Sequence, residues 1–428
     1  MKRSMLQTCI LGICVLQGLL GFTAVGHADP WITVSQDPLD GADYDTITGA
    51  VADAAAILAT QPQHVVIEVL DEGPYYESVS ITDIPTSSTA TLTLESAADG
   101  GTTIHTPIEF VRADPGTRPL SITRTDFVTV QGFIFMKDVE GTLNGITTLV
   151  KFDTYAPAAS QITFDNCVWD GQGLSYTGGG ILHSKYSHCN ITVTNSTFQN
   201  IIRATNWATV YLGPRSLPMA TTPTFTFCNN RVIDNTDAIV QLEGDATNGY
   251  YHNLIIEENV FTGNEGDFDL LFIRNQRADK DISNNSFSGN TLSGIHGDVF
   301  SGMTLALINS GNATVAGNTF IQNGAMAEVF VQESSSGTTV LTGNTIAASE
   351  GQHFGVWAAL SGTAALQSSG NTFYSNYTKN RTWNEPTKDY VAYWATGKGQ
   401  KLTLSQWNAK TPDDSADSFG KLPVPSMP

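Results

Sequence analysis

Basic residues are scarce in this chain of 428 residues, which contains 21 Lys and Arg against 41 Asp and Glu. If an N-terminal leader carrying Lys2 and Arg3 is removed, two positive charges leave and the formal charge goes from −20 to −22. No basic stripe is available to neutralise phosphates, so nucleic acid is a poor partner. An acidic polymer would also be repelled unless a cation bridged it to the protein.

Long apolar runs are confined to the N-terminus. Two basic residues precede an apolar stretch, residues 5–25, and Gly26-His27-Ala28 offers small residues where a signal peptidase cuts. This pattern predicts a signal peptide over 1–28 and a secreted protein, located in the periplasm, outside the cell or on its surface. Beyond residue 28 no stretch of 18 residues is apolar, so the mature chain is expected to have no membrane span.

Cysteine is sparse as well. Cys9 and Cys14 leave with the predicted leader, and the residues that remain are Cys167, Cys189 and Cys228. An odd number allows at most one internal disulfide, and the spacing matches no zinc motif. We expect these three side chains to be buried and to behave as small apolar residues.

What the sequence has in abundance is a repeat of short strands. Fragments such as ITVTNSTF (191–198), LIIEENVF (254–261) and TVAGNTF (314–320) each combine a β-branched or aromatic strand, an Asn and a large apolar residue. In the later repeats this large residue is Phe261, Phe287, Phe320, Ile346 and Phe373. The steps of 26 to 33 residues between them predict a stacked repeat rather than several domains.

A second run of alternating apolar and polar residues lies between successive large apolar residues of the repeat, as in DAIVQLEG (237–244) and DLLFIRN (269–275). Two or three strands per repeat, joined by Gly, Asn, Ser and Asp, leave no room for a crossover helix. Each repeat therefore predicts one coil of a β-solenoid, with like residues stacked about 4.8 Å apart. Asn suits the turns because it tolerates left-handed backbone angles and can pair with Asn in the coils above and below.

The two ends differ from the coils. The helical face predicted to cover the first coil consists of Ile47, Ala50, Val51, Ala54 and Leu58. From residue 374 the repeat stops and aromatic residues accumulate, which favours a packed terminal cap over a sugar-stacking patch. The sequence predicts a single domain over 29–428, with an N-terminal cap region (29–65) and a C-terminal cap and tail (374–428).

Three stretches carry a family resemblance. DGADYDTITGAVADAA (40–55) and VVIEVLDEGPYYESVSI (65–81) resemble the start of secreted β-helix proteins of the pectin-lyase-like superfamily. The tail KLTLSQWNAKTPDDSADSF (401–419) is similar to the C-terminal stretch of many bacterial β-helix repeat proteins. The resemblance implies an all-β, right-handed parallel β-helix. It does not determine an activity, because the superfamily contains lyases, hydrolases, esterases, epimerases and non-catalytic proteins.

Two consecutive coils, DAIVQLEGD (237–245) and LLFIRNQ (270–276), resemble alginate and chondroitin lyases of this fold. The resemblance implies that Arg274 is catalytic and that Asp237, Glu243 and Asp245 bind calcium. The Lys that such lyases carry in the first of these coils is absent, and Gly244 or Asp245 stands near its place. The identity of the base therefore stays open.

Side chains alternate between the two faces of a strand, so the sequence predicts which of these residues face outward. If Val240 and Leu242 face inward, Glu243 faces outward, and the same rule places Arg274 outward in the next coil. We expect the two side chains to be neighbours and to act in catalysis. The basic residues expected to bind substrate beside them are Arg203, Arg215 and Arg277. The leading prediction is a calcium-assisted lyase of a uronate-containing polysaccharide.

Other interpretations remain open. Asn235-Thr236-Asp237 matches one element of polygalacturonase-like hydrolases, but the Asp pair expected in the next coil is missing. A surface ion pair worth about 0–1 kcal/mol explains Glu243 and Arg274 equally well, as expected of a non-catalytic surface or adhesive β-helix that binds carbohydrate. ILHSKYSH (181–188) forms a second polar cluster that a loop also explains.

Overall fold

The structure, a computed structural model, consists of short strands that wind into successive coils. It describes residues 29–105, 118–136, 149–153, 161–176, 182–184, 189–203, 209–213, 222–236, 240–245, 252–266, 269–292, 295–296, 299–300, 302–321, 323–334, 336–347, 354–374, 390–395, 399–411 and 417–420. The predicted signal peptide lies outside the described residues.

Three sheets of 12 strands each form the walls of the solenoid. Sheet 1 consists of Trp31–Val34, Val65–Val69, Leu92–Ser96, Val128–Gln131, Gln161–Asp165, Asn190–Thr194, Thr224–Cys228, Asn253–Glu257, Lys280–Ser283, Ala313–Ala316, Thr338–Thr342 and Ala365–Ser369. Sheet 2 consists of Tyr75–Tyr76, Thr102–His105, Phe133–Met136, Val168–Tyr176, Thr197–Arg203, Arg231–Ile233, Val260–Thr262, Ser286–Ser288, Thr319–Ile321, Thr345–Ala347, Thr372–Tyr374 and Ser418–Gly420. Sheet 3 consists of Val79–Thr82, Leu120–Thr123, Val150–Asp153, Leu182–Ser184, Val210–Leu212, Val240–Glu243, Leu271–Arg274, Met303–Ile308, Ala327–Glu333, Phe354–Leu360, Tyr390–Trp394 and Gln400–Thr403.

Each coil contributes one strand to each sheet, and neighbouring coils pair in parallel. The exception is Gln400–Thr403, which pairs antiparallel with Tyr390–Trp394. Two short pairs lie outside the sheets: Glu265–Gly266 with Thr291–Leu292, and Ile295–His296 with Val299–Phe300. The chain is therefore an all-β, right-handed parallel β-helix, as predicted, with three strands per coil.

The large apolar residue of each repeat stacks inside the solenoid. Phe261, Phe287, Phe320, Ile346 and Phe373 are successive register partners in sheet 2. The Phe287 and Phe320 ring centres lie 4.9 Å apart, and the two stacked rings are within 3° of parallel. The predicted stacking of like residues is confirmed, and it fills this part of the core with one large apolar side chain per coil.

A column of buried Asn side chains connects the coils at the turn between sheets 1 and 2. Its members are Asn230, Asn259, Asn285, Asn318, Asn344 and Asn371. The Asn285 Nδ2 donates to Asn318 Oδ1 at 2.9 Å and to the Ile256 carbonyl at 2.8 Å, and its backbone N–H donates to the same Oδ1. The pattern repeats from coil to coil, so every amide hydrogen of the column has an acceptor.

The residue before each ladder Asn takes the left-handed conformation of the turn. Asn229, Glu258 and Asn284 have φ near +55°. In later coils a Gly with positive φ occupies the equivalent position. In the early coils the conspicuous Asn is the left-handed residue itself: Asn166 and Asn195 have φ of 50° and 53°. The left-handed turn conformation and the pairing with Asn in neighbouring coils were both expected of one Asn. They are divided between two adjacent residues.

This column of Asn side chains ends on a carboxyl group, and so does a second column. Asn371 donates its backbone N–H and its Nδ2 to Asp417 Oδ1, at 2.7 and 2.9 Å. A second column, Asn235, Asn264, Asn290 and Asn323, ends where Asn323 Nδ2 donates to Glu328 Oε2 at 3.0 Å. An acceptor is what the final amide donor requires.

The N-terminal helix Ile47–Thr60 has the predicted apolar face. Ile47, Ala50, Val51, Ala54 and Leu58 are all buried against the core. The helix begins at Thr46, whose side chain accepts from the Gly49 N–H. It packs against the first strands of sheets 1 and 3.

The C-terminal helix, Leu404–Lys410, places one aromatic residue inside. Trp407 is fully buried and donates its indole N–H to Asp417 at 2.8 Å. Cys167, Cys189 and Cys228 are buried, as expected. Within the described ranges no helix is both long and apolar enough to cross a bilayer. The single-domain boundary 29–428 stays a prediction.

We predict that Asn285→Ala lowers the free energy of unfolding by about 2 kcal/mol or more. The substitution removes the Oδ1 that accepts from the Asn259 N–H and Nδ2, and a buried unpaired polar group costs about 1–3 kcal/mol. Denaturant titration measures the change. The neighbour Asn284 is exposed at φ 56°, so Asn284→Gly should stay within about 0.5 kcal/mol of the wild type. Equal losses in both variants would contradict the ladder's role.

A second prediction concerns Glu328, whose carboxyl group is buried at the end of the second column. Burial raises its pKa from the ordinary 4.5 to about 8. Between these values the unfolded chain has released the proton and the folded chain has kept it, so stability falls as pH rises towards 8. Glu328→Gln keeps an oxygen acceptor without a proton to lose. The melting temperature of Glu328→Gln, relative to that of the wild type, should rise from pH 5 to pH 8. The exposed-site control Glu265→Gln should show no such trend. A difference between Glu328→Gln and the wild type that does not depend on pH would refute the assignment.

Candidate functional site

The outward face of sheet 3 carries two rows of side chains that run along the axis of the solenoid. Strand register places one residue per coil in row 1: Lys151, His183, Tyr211, Gln241, Phe272, Ala306, Phe330, Trp357 and Tyr393. Row 2 lies two residues further along each strand and contains Glu243, Arg274, Ile308, Gln332 and Ala359. Strand alternation puts both rows outside because the residues between them, such as Leu242 and Ile273, are fully buried.

Glu243 and Arg274 meet in row 2, as strand parity predicts. They are register partners, and the Arg274 Nη2 forms an ion pair with the Glu243 Oε1. The Arg274 side chain remains 47% exposed, whereas that of Glu243 is 18% exposed. The guanidinium also lies 5.6 Å from the centre of the Phe272 ring. Arg274 is therefore a cation held in place with much of its surface open to solvent.

Tyr211 belongs to the same site and was not anticipated. Its hydroxyl donates to Glu243 Oε2 at 3.2 Å, so Glu243 holds Tyr211 and Arg274 with different oxygens. Gln241 Nε2 donates to Glu243 Oε1 at 3.0 Å. The phenol lies across Gly213, where an added Cβ would come within 2.6 Å of the Tyr211 Cζ. The parity rule that found Glu243 would have placed Tyr211 outward too, but no sequence signal shows that its ring crosses a glycine.

His183 lies one coil before Tyr211. It is in the strand Leu182–Ser184, not in a loop, and its ring centre is 5.3 Å from that of Tyr211 with 26° between the planes. Lys151 precedes it in row 1 and pairs with Asp153 at 2.8 Å. Row 1 thus places an imidazole and a phenol in successive coils, and Glu243 links that phenol to the Arg274 guanidinium in row 2.

The other predicted site residues are not gathered at this point. Arg277 is exposed in the turn after Leu271–Arg274, and Arg203 ends a strand of sheet 2. Arg215 lies outside the described residues, as do residues 185–188 of the second polar cluster. Their predicted substrate contacts stay predictions.

The predicted calcium ligands are only partly described. Asp237 lies outside the described residues, and Asp245 follows the strand that holds Glu243. Both Glu243 oxygens accept from side-chain donors, an arrangement that does not suit a calcium ligand, and calcium takes 6–8 oxygens. Across the described part of the chain no group of three or more His, Cys, Asp or Glu side chains is placed to hold a metal.

A concave region lies on the sheet 2 side of the solenoid. This groove, about 640 Å³, is lined by Asp170, Asp234 and Glu265 together with polar and glycine residues. Asp170 is already an acceptor for the Gln199 and Asn200 amides, at 2.8 and 3.2 Å. By contrast, the face that carries Arg274 presents a partly exposed cation, which makes it a candidate site for an anionic ligand.

Among known proteins, only solved structures resemble this chain. No family model matches the chain, and no curated protein matches it. An alginate lyase from Paenibacillus has 14% sequence identity and a TM-score of 0.37, over 76% of this chain and 93% of that chain. A periplasmic alginate epimerase has 15% identity and a TM-score of 0.33, over 84% and 72%. A pectate lyase has 12% identity and a TM-score of 0.29, over 79% and 76%. With TM-scores below 0.5, these likenesses say nothing about substrate or activity.

We predict that Gly213→Ala displaces the Tyr211 phenol from Glu243. The new methyl group would overlap the ring, and rotation of the ring would break the Tyr211–Glu243 hydrogen bond, which is worth about 0.5–1.5 kcal/mol. A crystal structure of the variant should show the ring rotated away, and denaturant titration should show the loss. Gly100→Ala is the matched control, because its added Cβ would meet only a side-chain oxygen of Glu72 at 3.9 Å. An unmoved ring with unchanged stability would show that Gly213 does not hold the site open.

Proposed function

We propose that the protein is a secreted enzyme that acts on a uronate-containing polysaccharide at the Tyr211–Glu243–Arg274 site. The observation that carries the proposal is the half-exposed Arg274 guanidinium, which Glu243 links to the Tyr211 phenol, with the His183 imidazole stacked on that phenol from the preceding coil. In a chain with 41 acidic residues, a fixed and open cation is a specific attraction for a carboxylate. Among uronate chemistries, β-elimination is the one we propose.

In this reaction Arg274 binds the carboxylate of the reacting sugar. Its charge stabilises the enolate-like charge that develops when the neighbouring C5 proton leaves. The proton passes to a base, the C5–H electron pair forms the C4=C5 double bond, and the C4–O bond breaks. The departing oxygen takes up a proton, so that one chain becomes two.

Tyr211 and His183 are the groups we assign to proton transfer. Both lie in row 1, one coil apart, and Glu243 fixes the Tyr211 hydroxyl next to Arg274. Glu243 is engaged through both oxygens, so we assign it to positioning rather than to proton abstraction. These assignments supply the base that the absent Lys leaves missing.

Calcium remains part of the proposal as a possible bridge between an acidic protein and an acidic polymer. Asp237 and Asp245 are the residues that would take part, and Glu243 is poorly suited while it holds Arg274 and Tyr211. No step above depends on the ion. Comparison of reactions with added calcium and with a chelator tests this element separately.

The alternative is a non-catalytic protein that binds carbohydrate on the same face. One observation favours it: the Arg274–Glu243 ion pair is complete without a ligand. Absence of product on every uronate polymer, with sugar binding unchanged in Arg274→Ala, would refute the lyase and leave this alternative.

The test is an absorbance assay for the unsaturated product on a panel of uronate polymers. We expect Arg274→Ala to lower kcat/KM about 10²- to 10³-fold, as for the loss of one charge-stabilising donor. Arg274→Lys should recover part of this activity, since it restores charge without the planar fork. Tyr211→Phe should lower kcat at least about 10²-fold with a smaller change in KM.

The matched control is Arg231→Ala. Arg231 is also an exposed strand arginine, but it lies in sheet 2 on a different wall of the solenoid. Its activity should equal that of the wild type. An equal loss in Arg231→Ala and Arg274→Ala would point to general electrostatic attraction and contradict the proposed site.

A further inference from the structure

Beyond Arg274 the outward face of sheet 3 changes character. The row 1 and row 2 positions of the next three coils are Ala306, Ile308, Phe330, Gln332, Trp357 and Ala359. None of these side chains is charged, although 41 of the 428 residues in the chain are acidic. Tyr393 continues row 1, and Lys401 pairs with it at the far end.

The aromatic members of this stretch, Phe272, Phe330, Trp357 and Tyr393, form what we term the aromatic strip. The Trp357 ring meets the Phe330 and Tyr393 rings edge to face, at 5.9 and 5.0 Å with angles of 80° and 78°. Fully buried Met303 and Ala327 pack against the strip in a small apolar cluster that is separate from the core of the solenoid. All four rings remain partly exposed.

Geometry connects the strip to the proposed site. Tyr211, Gln241 and Phe272 occupy successive coils of row 1, and the row runs on without a change of register to Tyr393. Six strand spacings separate Tyr211 from Tyr393, which amounts to about 29 Å. A single polymer chain lying along the row therefore contacts Arg274 and the aromatic strip at once.

We infer that the substrate is a mixed polysaccharide in which uronates alternate with uncharged sugars, with a uronate at Arg274 and the uncharged sugars against the aromatic rings of the strip. This inference rests on the proposed function, because it takes Arg274 as the carboxylate subsite. Aromatic faces bind the apolar C–H faces of sugar rings. A carboxylate lying over the strip would lose water without gaining a charged partner, and burial of an unpaired charge is costly. A polymer with a uronate at every position is thus disfavoured.

The test is calorimetric binding of three hexasaccharides of equal length to the mature protein. One has uronates only, one alternates glucuronate with N-acetylglucosamine, and one is neutral cellohexaose. We expect the alternating hexasaccharide to bind about tenfold more tightly than either of the others, a difference of about 1.4 kcal/mol. Equal or tighter binding of the all-uronate probe, or no binding of any probe, would overturn the inference.

Two variants test whether the aromatic strip causes the preference for the alternating hexasaccharide. Trp357→Leu and Tyr393→Leu keep an apolar side chain and remove the ring, and each should weaken the alternating hexasaccharide about tenfold. Tyr374→Leu is the matched control, because Tyr374 is a partly exposed strand aromatic in sheet 2, and it should bind as the wild type does. Wild-type affinity in both strip variants would refute the inference, and use of two positions guards against a variant that fails to fold.

Arg274→Ala separates this inference from the proposed activity. It should remove the preference for the alternating probe over cellohexaose while leaving cellohexaose binding sensitive to Trp357→Leu. Preference dependent on Trp357 without turnover of any polymer would refute the lyase and support the mixed ligand. Turnover with an all-uronate preference, unaffected by Trp357→Leu, would support the lyase and refute the mixed substrate.

Discussion

A buried side-chain amide needs a partner for every hydrogen bond it can make, and in this protein the neighbouring coils supply those partners. Asn285 is buried, yet its donors and its oxygen are all paired with the coils on either side. A shift of one residue between two coils would leave such groups unpaired and turn core side chains to the surface. The amide columns therefore maintain the register on which the rows of sheet 3 depend.

Much of the architecture is predictable from sequence, because a solenoid repeats its physical requirements. The recurrence of Phe261, Phe287 and Phe320 predicts stacked coils, and the face of the helix Ile47–Thr60 follows from helical spacing. The division of the turn between a left-handed residue and a ladder Asn is harder to read, because Asn satisfies both positions. In the early coils Asn166 and Asn195 occupy the first position, so an alignment on Asn alone is wrong by one residue there.

The candidate site shows a similar limit. Parity within two strands is enough to bring Glu243 and Arg274 together, because register partners follow from a repeated core. Tyr211 joins them only through the path of its ring across Gly213, which depends on a contact between specific atoms. The aromatic strip is equally hidden, since successive members are separated by 27 to 58 residues and become neighbours only once the irregular lengths of the turns are known.

The amide columns also make each coil an interchangeable unit. Every rung presents the same donors to one side and the same acceptor to the other, so a duplicated coil that keeps its Asn finds its hydrogen bonds between any two rungs. Such an insertion lengthens both outward rows by one strand spacing, about 4.8 Å. The separation between a cation and an aromatic ring on this face then changes in whole steps. The spacing of groups along this face can therefore change by gain or loss of coils, with no remodelling of the residues themselves.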